Sequence, residues 1–313
     1  MLKLKIGDIH TDDLFHKGSH SVFFRHKSVS EATRIFKLSQ LNPLTRITEN
    51  SSNELKIYKA LENVKGFQKV VPVETEQTEF SVLEMEYLGP SLKQLLEVCE
   101  SSFSLKTGLL LFLQMLDIVS ELHTRKIVHS QLRPAHFLIG REKKRDTLYL
   151  VDFKFAINPE IDFSSLLLTK RQLSYLDLEF KAVCKDESYK EDLESLCFIL
   201  IFMLKGTLPW LLSSEEIDKL EDLDDNEKSK IFAEIETTKA ICTIEELCSG
   251  LPSEIAELLT YARGLNKFQQ PNYKGIKEKF RRLFERMFGK IDNVFDWDYI
   301  ENPVIKLKYS VPV

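Results

Sequence analysis

The chain has few of the residues that mark secreted, zinc-binding and membrane proteins. Its five cysteines are odd in number and never spaced as C-x-x-C, which indicates neither a disulfide framework nor a zinc site. The longest apolar run, at 196–204, is far shorter than the ~20 residues of a membrane helix. The opening residues, MLKLKIGDIH, lack the apolar stretch of a signal peptide. We therefore expect a cytoplasmic protein with no membrane span, and association with the cytoskeleton or a larger complex is a further option.

An excess of basic residues is also missing. The 313 residues include 43 Lys and Arg against 48 Asp and Glu, a net charge of -5. Proteins that neutralise many backbone phosphates are usually basic, so we expect no nucleic-acid partner. Hydrophobic residues make up 43% and charged residues 29%, the balance of an ordinary globular protein. The length fits one bilobal unit or two coupled lobes.

The pattern of apolar residues changes along the chain. Up to about residue 85, short apolar segments favour β-strands, with one helix near 53–62. The residues Tyr87 to Ser91 then break both periodicities, and we place a hinge there. Beyond it, apolar spacings of three and four predict a long helix whose N-cap is Ser104, and a near-continuous apolar run predicts a buried helix at 191–204. The expected divisions are 1–85, a hinge at 86–89, 90–300 and a tail at 301–313.

Two charged regions have a simple interpretation. Residues 213–236 are rich in acidic and basic side chains, which is typical of solvated helix and loop. Near the end of the chain, an apolar stripe from Ile276 to Met287 is flanked by five basic residues. We favour a solvated basic helix face there, and a site for an anionic partner remains the alternative.

Five phrases in the chain resemble the casein kinase 1 family of Ser/Thr kinases, in the family's order. They are E-Y-L-G-P-S-L at 86–92, F-S-L-K-T at 103–107, D-L-E-S-L through G-T-L-P-W at 192–210, P-S-E at 252–254 and F-D-W at 295–297. The resemblance implies an α+β, bilobal protein-kinase fold, with a small, mainly β N-lobe and a larger, mainly α C-lobe.

The resemblance also implies an ATP site, which we interpret as vestigial. Its residues correspond to Gly18, Lys37, Glu54, Glu86 and Leu88. Lys37 and Glu54 match the lysine and helix glutamate that pair in a kinase. Only Gly18 survives of the three glycines of the phosphate loop, because residues 18–23 read G-S-H-S-V-F. Side chains in such a loop hinder close approach of the backbone to phosphate.

The family's catalytic loop, H-R-D-x-K-P-x-N, corresponds to H-S-Q-L-R-P-A-H at 129–136. Gln131 replaces the aspartate that accepts a proton, which a neutral amide cannot do near pH 7. Arg133 replaces the lysine that steadies the transferred phosphate. His136 replaces the asparagine that binds the second Mg²⁺, and Mg²⁺ prefers oxygen ligands to imidazole.

The family's metal-binding D-F-G corresponds to Asp152, Phe153 and Lys154. Asp152 keeps one Mg²⁺ ligand, whereas Lys154 places a cation where kinases have glycine. We hypothesise that the Lys154 ammonium stays near Asp152 and partly substitutes for the metal; the alternative is that it points into solvent. A transition-metal site formed by His129, His136 and Asp152 is a minor alternative.

Three functions follow from these changes. The first is a pseudokinase that requires neither ATP nor Mg²⁺ and acts as a scaffold for a protein partner or a larger assembly. The second is a weak Ser/Thr kinase that uses Lys37, Glu54 and Asp152 with one metal ion. The third is an ATP-binding switch without turnover. Changes at four catalytic elements favour the first.

Overall fold

We describe the protein from a computed structural model. The structure describes residues 14–17, 21–27, 33–40, 47–73, 80–158, 178–183, 188–267 and 269–300. Gly18 lies outside these residues. The chain divides into two compact units: the first comprises the residues up to Leu95 together with Ala135–Ala156, and the second comprises Leu96–Pro134 with Ile157–Ile300. The expected divisions at 85, 86–89 and 300 stay a prediction.

The first unit contains a five-stranded antiparallel sheet with the order β1-β2-β3-β5-β4. Side chains alternate across it, so that Phe24, Phe36, Leu38 and Val82 form a buried cluster on one face. The expectation of β-strands up to about residue 85 is confirmed. The strands are β1 (Leu14–Lys17), β2 (Ser21–Lys27), β3 (Thr33–Gln40), β4 (Val70–Val73) and β5 (Phe80–Glu86).

A helix and a hairpin complete the first unit. The helix α1 (Ile47–Ala60) begins earlier than the sequence predicts. The hairpin pairs β6 (Phe137–Ile139) with β7 (Leu148–Leu150). It is tied to the chain after α1, because Leu150 donates its N–H to the carbonyl of Gly66 at 2.9 Å. The helix α2 comprises Leu92–Val98.

The second unit is helical around two long, buried helices. The helix α3 (Leu105–Thr124) begins at the predicted N-cap, where the Ser104 hydroxyl accepts the N–H of Thr107. The helix α4 (Tyr189–Lys205) is buried on nearly every side, as its apolar sequence predicts. It ends at Gly206, whose φ of 76° is one that glycine adopts without strain. The remaining helices are α5 (Ser214–Asp222), α6 (Asp225–Ile241), α7 (Ile244–Cys248), α8 (Ser253–Gly264) and α9 (Tyr273–Phe288).

The charged regions are helical. The solvated stretch at 213–236 forms α5 and most of α6, and both helices begin with a capping box. On α9, three basic residues form ion pairs with neighbouring helices: Lys277 with Asp117, Lys279 with Glu257 and Arg286 with Glu254. These pairs support the solvated interpretation of the basic face. Within the described part of the chain, no helix is both long and apolar enough to cross a membrane.

Candidate functional site

A buried ion pair lies at the centre of the first unit. In β3, Phe36 and Leu38 point into the apolar cluster, so Lys37 points to the opposite face of the sheet. There its Nζ lies 2.8 and 2.9 Å from the two carboxylate oxygens of Glu54 on α1. Burial by itself would lower the pKa of Lys37, but the charges of Glu54 and Asp152 outweigh burial and raise that pKa above its usual range. Lys37 therefore stays a cation.

The Asp152 carboxylate contacts the side chains of Lys37 and His136. Its Oδ1 is 3.5 Å from Lys37 Nζ, and its Oδ2 is 3.4 Å from Nε2 of His136. The hairpin of β6 and β7 explains the second contact. The N–H of Val151, the residue before Asp152, donates to the carbonyl of His136 where the two strands lie side by side. Asp152 also has a φ of 66°, which is uncommon for a residue with a side chain and is typical of functional sites.

Tyr58 contacts the backbone of Asp152. It lies one turn after Glu54 on α1 and is buried. Its hydroxyl accepts the backbone N–H of Asp152 at 3.3 Å and an N–H of Gln68 at 3.4 Å. Its ring packs edge-on against Phe153, with 5.0 Å between centroids. Burial and the Glu54 charge raise the pKa of Tyr58, so its hydroxyl remains neutral.

Two further side chains lie around this cluster. Phe23 is the direct cross-strand neighbour of Lys37, and its ring centroid is 5.9 Å from Lys37 Nζ. An aromatic ring therefore lies beside the lysine. Lys154 Nζ lies 5.1 Å from the ring centroid of Phe155. The hypothesis that the Lys154 ammonium stays near Asp152 remains a prediction.

The predicted hinge is held by backbone and charge contacts. Gly89 donates its N–H to the carbonyl of Ile139 at 2.7 Å, and a Cβ on Gly89 would lie 2.9 Å from that oxygen. The Glu86 carboxylate is 2.9 Å from Lys144 Nζ, so it is engaged within the protein. Leu88 is buried. The Gly89 N–H and the Glu86 carboxylate are therefore both engaged within the first unit.

In the second unit, Asp192 on α4 holds the chain at 129–130. Its carboxylate accepts the backbone N–H groups of His129 and Ser130 at 2.7 and 3.0 Å and contacts Nε2 of His123 at 3.0 Å. The hydroxyl of Tyr273 lies 2.7 Å from the other ring nitrogen of His123. Ser130 adopts a φ of 64° at this point. The backbone leading to Gln131 is thus fixed by a buried polar network.

Arg133 is engaged in the same unit. It is largely buried, and its Nη2 lies 3.4 Å from the carboxylate of Glu179. The backbone of the same short segment is held by two other side chains. Trp210 donates its indole N–H to the carbonyl of Glu179 at 2.8 Å, and Lys239 donates to the carbonyls of Leu178 and Lys181.

A lysine on β3, a helix glutamate and a carboxylate after a hairpin form the arrangement with which kinases contact ATP phosphates and metal. The comparison with known families agrees, because the protein kinase domain matches residues 18–290. The chain belongs to the protein kinase family. Its α+β structure, a small antiparallel-sheet region and a larger helical part, is the bilobal kinase fold.

The Mg²⁺ ions of a kinase are held by oxygen ligands. Mg²⁺ requires near-octahedral oxygen ligands at about 2.0–2.1 Å. Asp152 supplies such oxygens, whereas His136 presents a ring nitrogen to one of them. Of these two side chains, only that of Asp152 is therefore a ligand that suits Mg²⁺.

The predicted site residues fall in both units. Lys37, Glu54, His136 and Asp152 form one cluster in the first unit. Gln131 and Arg133 belong to the second unit. The sequence considered His136 and Asp152 together only within the minor transition-metal alternative, and it missed Tyr58. The spacing of Glu54 and Tyr58, four residues apart on one helix, was the signal that could have revealed the tyrosine.

Proposed function

We propose that this kinase is a pseudokinase of the casein kinase 1 type, which does not transfer phosphate and acts as a scaffold for a protein partner. The observation that carries the proposal is the contact between His136 and Asp152, at 3.4 Å. In kinases the corresponding positions are an asparagine and an aspartate that hold metal ions. Here the first is an imidazole that faces the second, so the side chains interact with each other.

The residue at the position of the catalytic base supports the proposal. Active kinases use an aspartate that accepts the proton of the substrate hydroxyl. Gln131 has a neutral amide, which neither accepts that proton near pH 7 nor contributes a negative charge. The loss of a positioned base typically lowers a rate by about 10²- to 10⁴-fold. The backbone that carries Gln131 is nevertheless held by Asp192, so the scaffold persists while its chemistry changes.

Arg133 adds a further reason. At its position kinases of this type have a lysine for the transferred phosphate, whereas Arg133 lies against Glu179 and is largely buried. A guanidinium paired in this way is a structural link between two chain segments of the second unit. Recruiting it to phosphate would leave the Glu179 carboxylate without this cation.

Phosphotransfer tests the proposal directly. Purified protein is incubated with radiolabelled ATP, Mg²⁺ and acidic protein substrate, beside the Asp152→Ala variant. We expect equal, background incorporation from both. A triple variant, Gln131→Asp, His136→Asn and Lys154→Gly, restores the kinase residues and serves as the positive control. Incorporation by the unmodified protein that Asp152→Ala abolishes contradicts the proposal and favours the weak-kinase alternative.

An ATP-binding switch without turnover is the second candidate, and the intact Lys37–Glu54 pair favours it. Both residues are almost fully buried, and the pair keeps the geometry with which kinases orient the lysine towards phosphate. This function needs neither Gln131 nor a second metal ligand.

The scaffold function also implies a partner and a location. Met287, Phe288 and Ile291 are exposed within five residues at the end of α9, and exposed apolar groups favour protein contacts. The proposal places the protein in the reducing cytoplasm, in keeping with free thiols at Cys99, Cys197, Cys242 and Cys248. Because a scaffold needs no catalysis, we expect the wild type and Asp152→Ala to recover the same proteins from cells.

A further inference from the structure

One surface of the first unit is much more basic than the chain as a whole. The stretches 56–69 and 141–146 contain eight Lys and Arg against three Asp and Glu, whereas acidic residues outnumber basic ones over the full sequence. We propose that this surface docks an acidic segment of the protein partner. The inference deepens the proposed function, because it names the chemistry of the partner, and it rests on that function for the existence of a partner.

Backbone and charge contacts within the first unit bring the two stretches together. Leu150, on the strand that follows the turn at 141–146, donates its N–H to the carbonyl of Gly66 at 2.9 Å. Glu86 joins the same two stretches. Its N–H donates to the carbonyl of Lys69 at 3.3 Å, and its carboxylate lies 2.9 Å from Lys144 Nζ. We define the basic surface by five exposed side chains, which are Lys65, Lys69, Lys143, Lys144 and Arg145.

The positive charge of the basic surface is largely left without compensation. Among the described residues, its five cations form one ion pair, between Lys144 and Glu86. The exposed carboxylates within the two stretches are Glu62 and Glu142, so the cations remain in excess. On α9, by contrast, three cations pair with carboxylates of neighbouring helices. Protein surfaces usually mix both signs of charge, and an excess of one sign attracts and orients a partner of the opposite sign.

The side chains of the first unit favour a protein segment over a lipid bilayer or a nucleic acid. Among the described residues of this unit, Val71 is the one large apolar side chain that is exposed. A bilayer would therefore meet a single valine, and unpaired bases would find no exposed aromatic ring on which to stack. A long polyanion would also meet the acidic remainder of a chain whose net charge is -5. A short acidic peptide needs only the basic surface.

The test measures how the full chain binds a fluorescein-labelled, Glu-rich decapeptide, by fluorescence anisotropy. A decapeptide with Gln in place of every Glu is the neutral probe. We expect saturable binding of the Glu peptide and none of the Gln peptide. Because salt screens exposed charges, the affinity should fall by about tenfold between about 0.05 M and 0.5 M salt. Equal affinity for the two peptides overturns the inference, and so does the absence of binding to the Glu peptide at low salt.

Two charge-reversal variants with the same change in net charge locate the binding surface. Each alters three exposed cations that form no ion pair with another described residue. The variants are Lys65→Glu/Lys143→Glu/Arg145→Glu on the basic surface and, as the matched control on α9, Lys274→Glu/Arg281→Glu/Arg282→Glu. We expect the first to weaken binding of the Glu peptide by about tenfold or more and the control by less than about threefold. Equal weakening would mean that net charge alone attracts the peptide, which overturns the inference.

A milder variant and two other probes complete the test. Lys65→Ala/Lys143→Ala/Arg145→Ala removes the charges without adding any, and it replaces the reversal variant if the melting temperature shows that the latter is unfolded. It should still weaken peptide binding by about threefold or more, and unaltered binding overturns the inference. The other probes are a single-stranded RNA decamer and vesicles of equal parts phosphatidylserine and phosphatidylcholine. Tighter binding of either probe than of the Glu peptide to the same surface overturns the choice of a protein partner.

Peptide binding and phosphotransfer together separate the inference from the proposed function. If the Glu peptide does not bind and phosphotransfer is absent, the docking surface is wrong and the scaffold function stands. If the peptide binds as expected and Mg²⁺-dependent phosphotransfer is observed, the pseudokinase is wrong and the docking surface stands. Binding at the basic surface without phosphotransfer supports both.

Discussion

Two aspartates of this chain, Asp192 and Asp152, show how differently structure and chemistry constrain a residue. Asp192 is 1% exposed and accepts two backbone N–H groups in addition to its contact with His123. Through these contacts Asp192 holds the segment at 129–130 in place. The Asp152 side chain is 33% exposed, and its carboxylate contacts Lys37 and His136, two side chains of the candidate site. The first aspartate organises the fold, and the second belongs to the candidate site.

The comparison extends to the residues around each aspartate. Near Asp192, the sequence keeps a buried apolar helix, and Asp192, His123 and Tyr273 form a buried polar network against it. Near Asp152, the neighbouring side chains include an imidazole, a lysine and a phenylalanine, at His136, Lys154 and Phe153. Under the proposed function, the residues around Asp152 can change without loss of the fold, because activity and fold depend on different residues.

Removal of the Asp192 carboxylate should have the largest effect on stability. Asp192→Ala leaves two buried N–H groups without an acceptor, and hydrogen bonds to a charged group contribute about 1.5–3 kcal/mol each. We expect the free energy of unfolding to fall by about 4 kcal/mol in urea denaturation. Asp117→Ala, which removes an exposed carboxylate paired with Lys277, is the control and should cost less than about 1 kcal/mol. Equal losses for the two variants would contradict the comparison.

The Lys37–Glu54 pair should behave as a coupled buried unit. Lys37→Met leaves the Glu54 carboxylate buried without its cation, and breaking such a pair costs about 3–5 kcal/mol. Adding Glu54→Gln removes the buried charge, so we expect the double variant to recover most of the loss. A double-mutant cycle in urea measures this coupling. Additive losses would show that Asp152, and not Glu54, is the main partner of the lysine.

Much of the fold could be predicted from the sequence, because periodicity depends on local residues. The apolar spacing around Leu109 and Leu116 predicted α3. Ser104 predicted where α3 begins, because a serine is a favoured N-cap residue. The start of α1 was placed too late. Apart from Ile47, its residues up to Asn53 are polar and carry no apolar period, so only the part after Asn53 gives a helical signal.

The candidate site was predicted only in part. The residues Lys37, Glu54 and Asp152 were expected from their positions in a known pattern, but their distances depend on how β3, α1 and the hairpin pack. His136 and Asp152 are 16 residues apart in the sequence. Their contact arises because β6 pairs with β7. Single-sequence patterns do not report such long-range contacts.

Lys239 sharpens the comparison, because it is a buried cation that donates to backbone carbonyls. Burial lowers its pKa to about 7, with Glu194, Glu236 and Glu179 raising it and Lys181 lowering it. In the unfolded chain its pKa is about 10.4. Between these values the unfolded state holds more protons, so the free energy of unfolding rises with pH, by up to about 1.4 kcal/mol per pH unit. Below about pH 7 both states are protonated and this contribution no longer changes.

Urea denaturation from pH 6 to pH 9 measures this dependence. Lys239→Met removes the titrating group, so the difference between the variant and the wild type isolates its contribution from that of other groups. We expect the wild type to gain stability relative to the variant as pH rises above about 7. Parallel curves would show that the carbonyls of Leu178 and Lys181, together with the Trp210 ring 5.3 Å away, keep Lys239 charged.

An ion pair at the surface should give the smallest effect. Arg286 Nη2 lies 2.7 Å from the Glu254 carboxylate, but the Arg286 side chain is 62% exposed. Water and salt screen such a pair, which typically contributes about 0.2–1 kcal/mol. We expect Arg286→Ala to lower the free energy of unfolding by less than about 1 kcal/mol, and the coupling with Glu254→Gln to disappear in about 1 M salt. A coupling as large as that of Lys37 with Glu54 would show that distance, and not burial, determines the strength of ion pairs in this kinase.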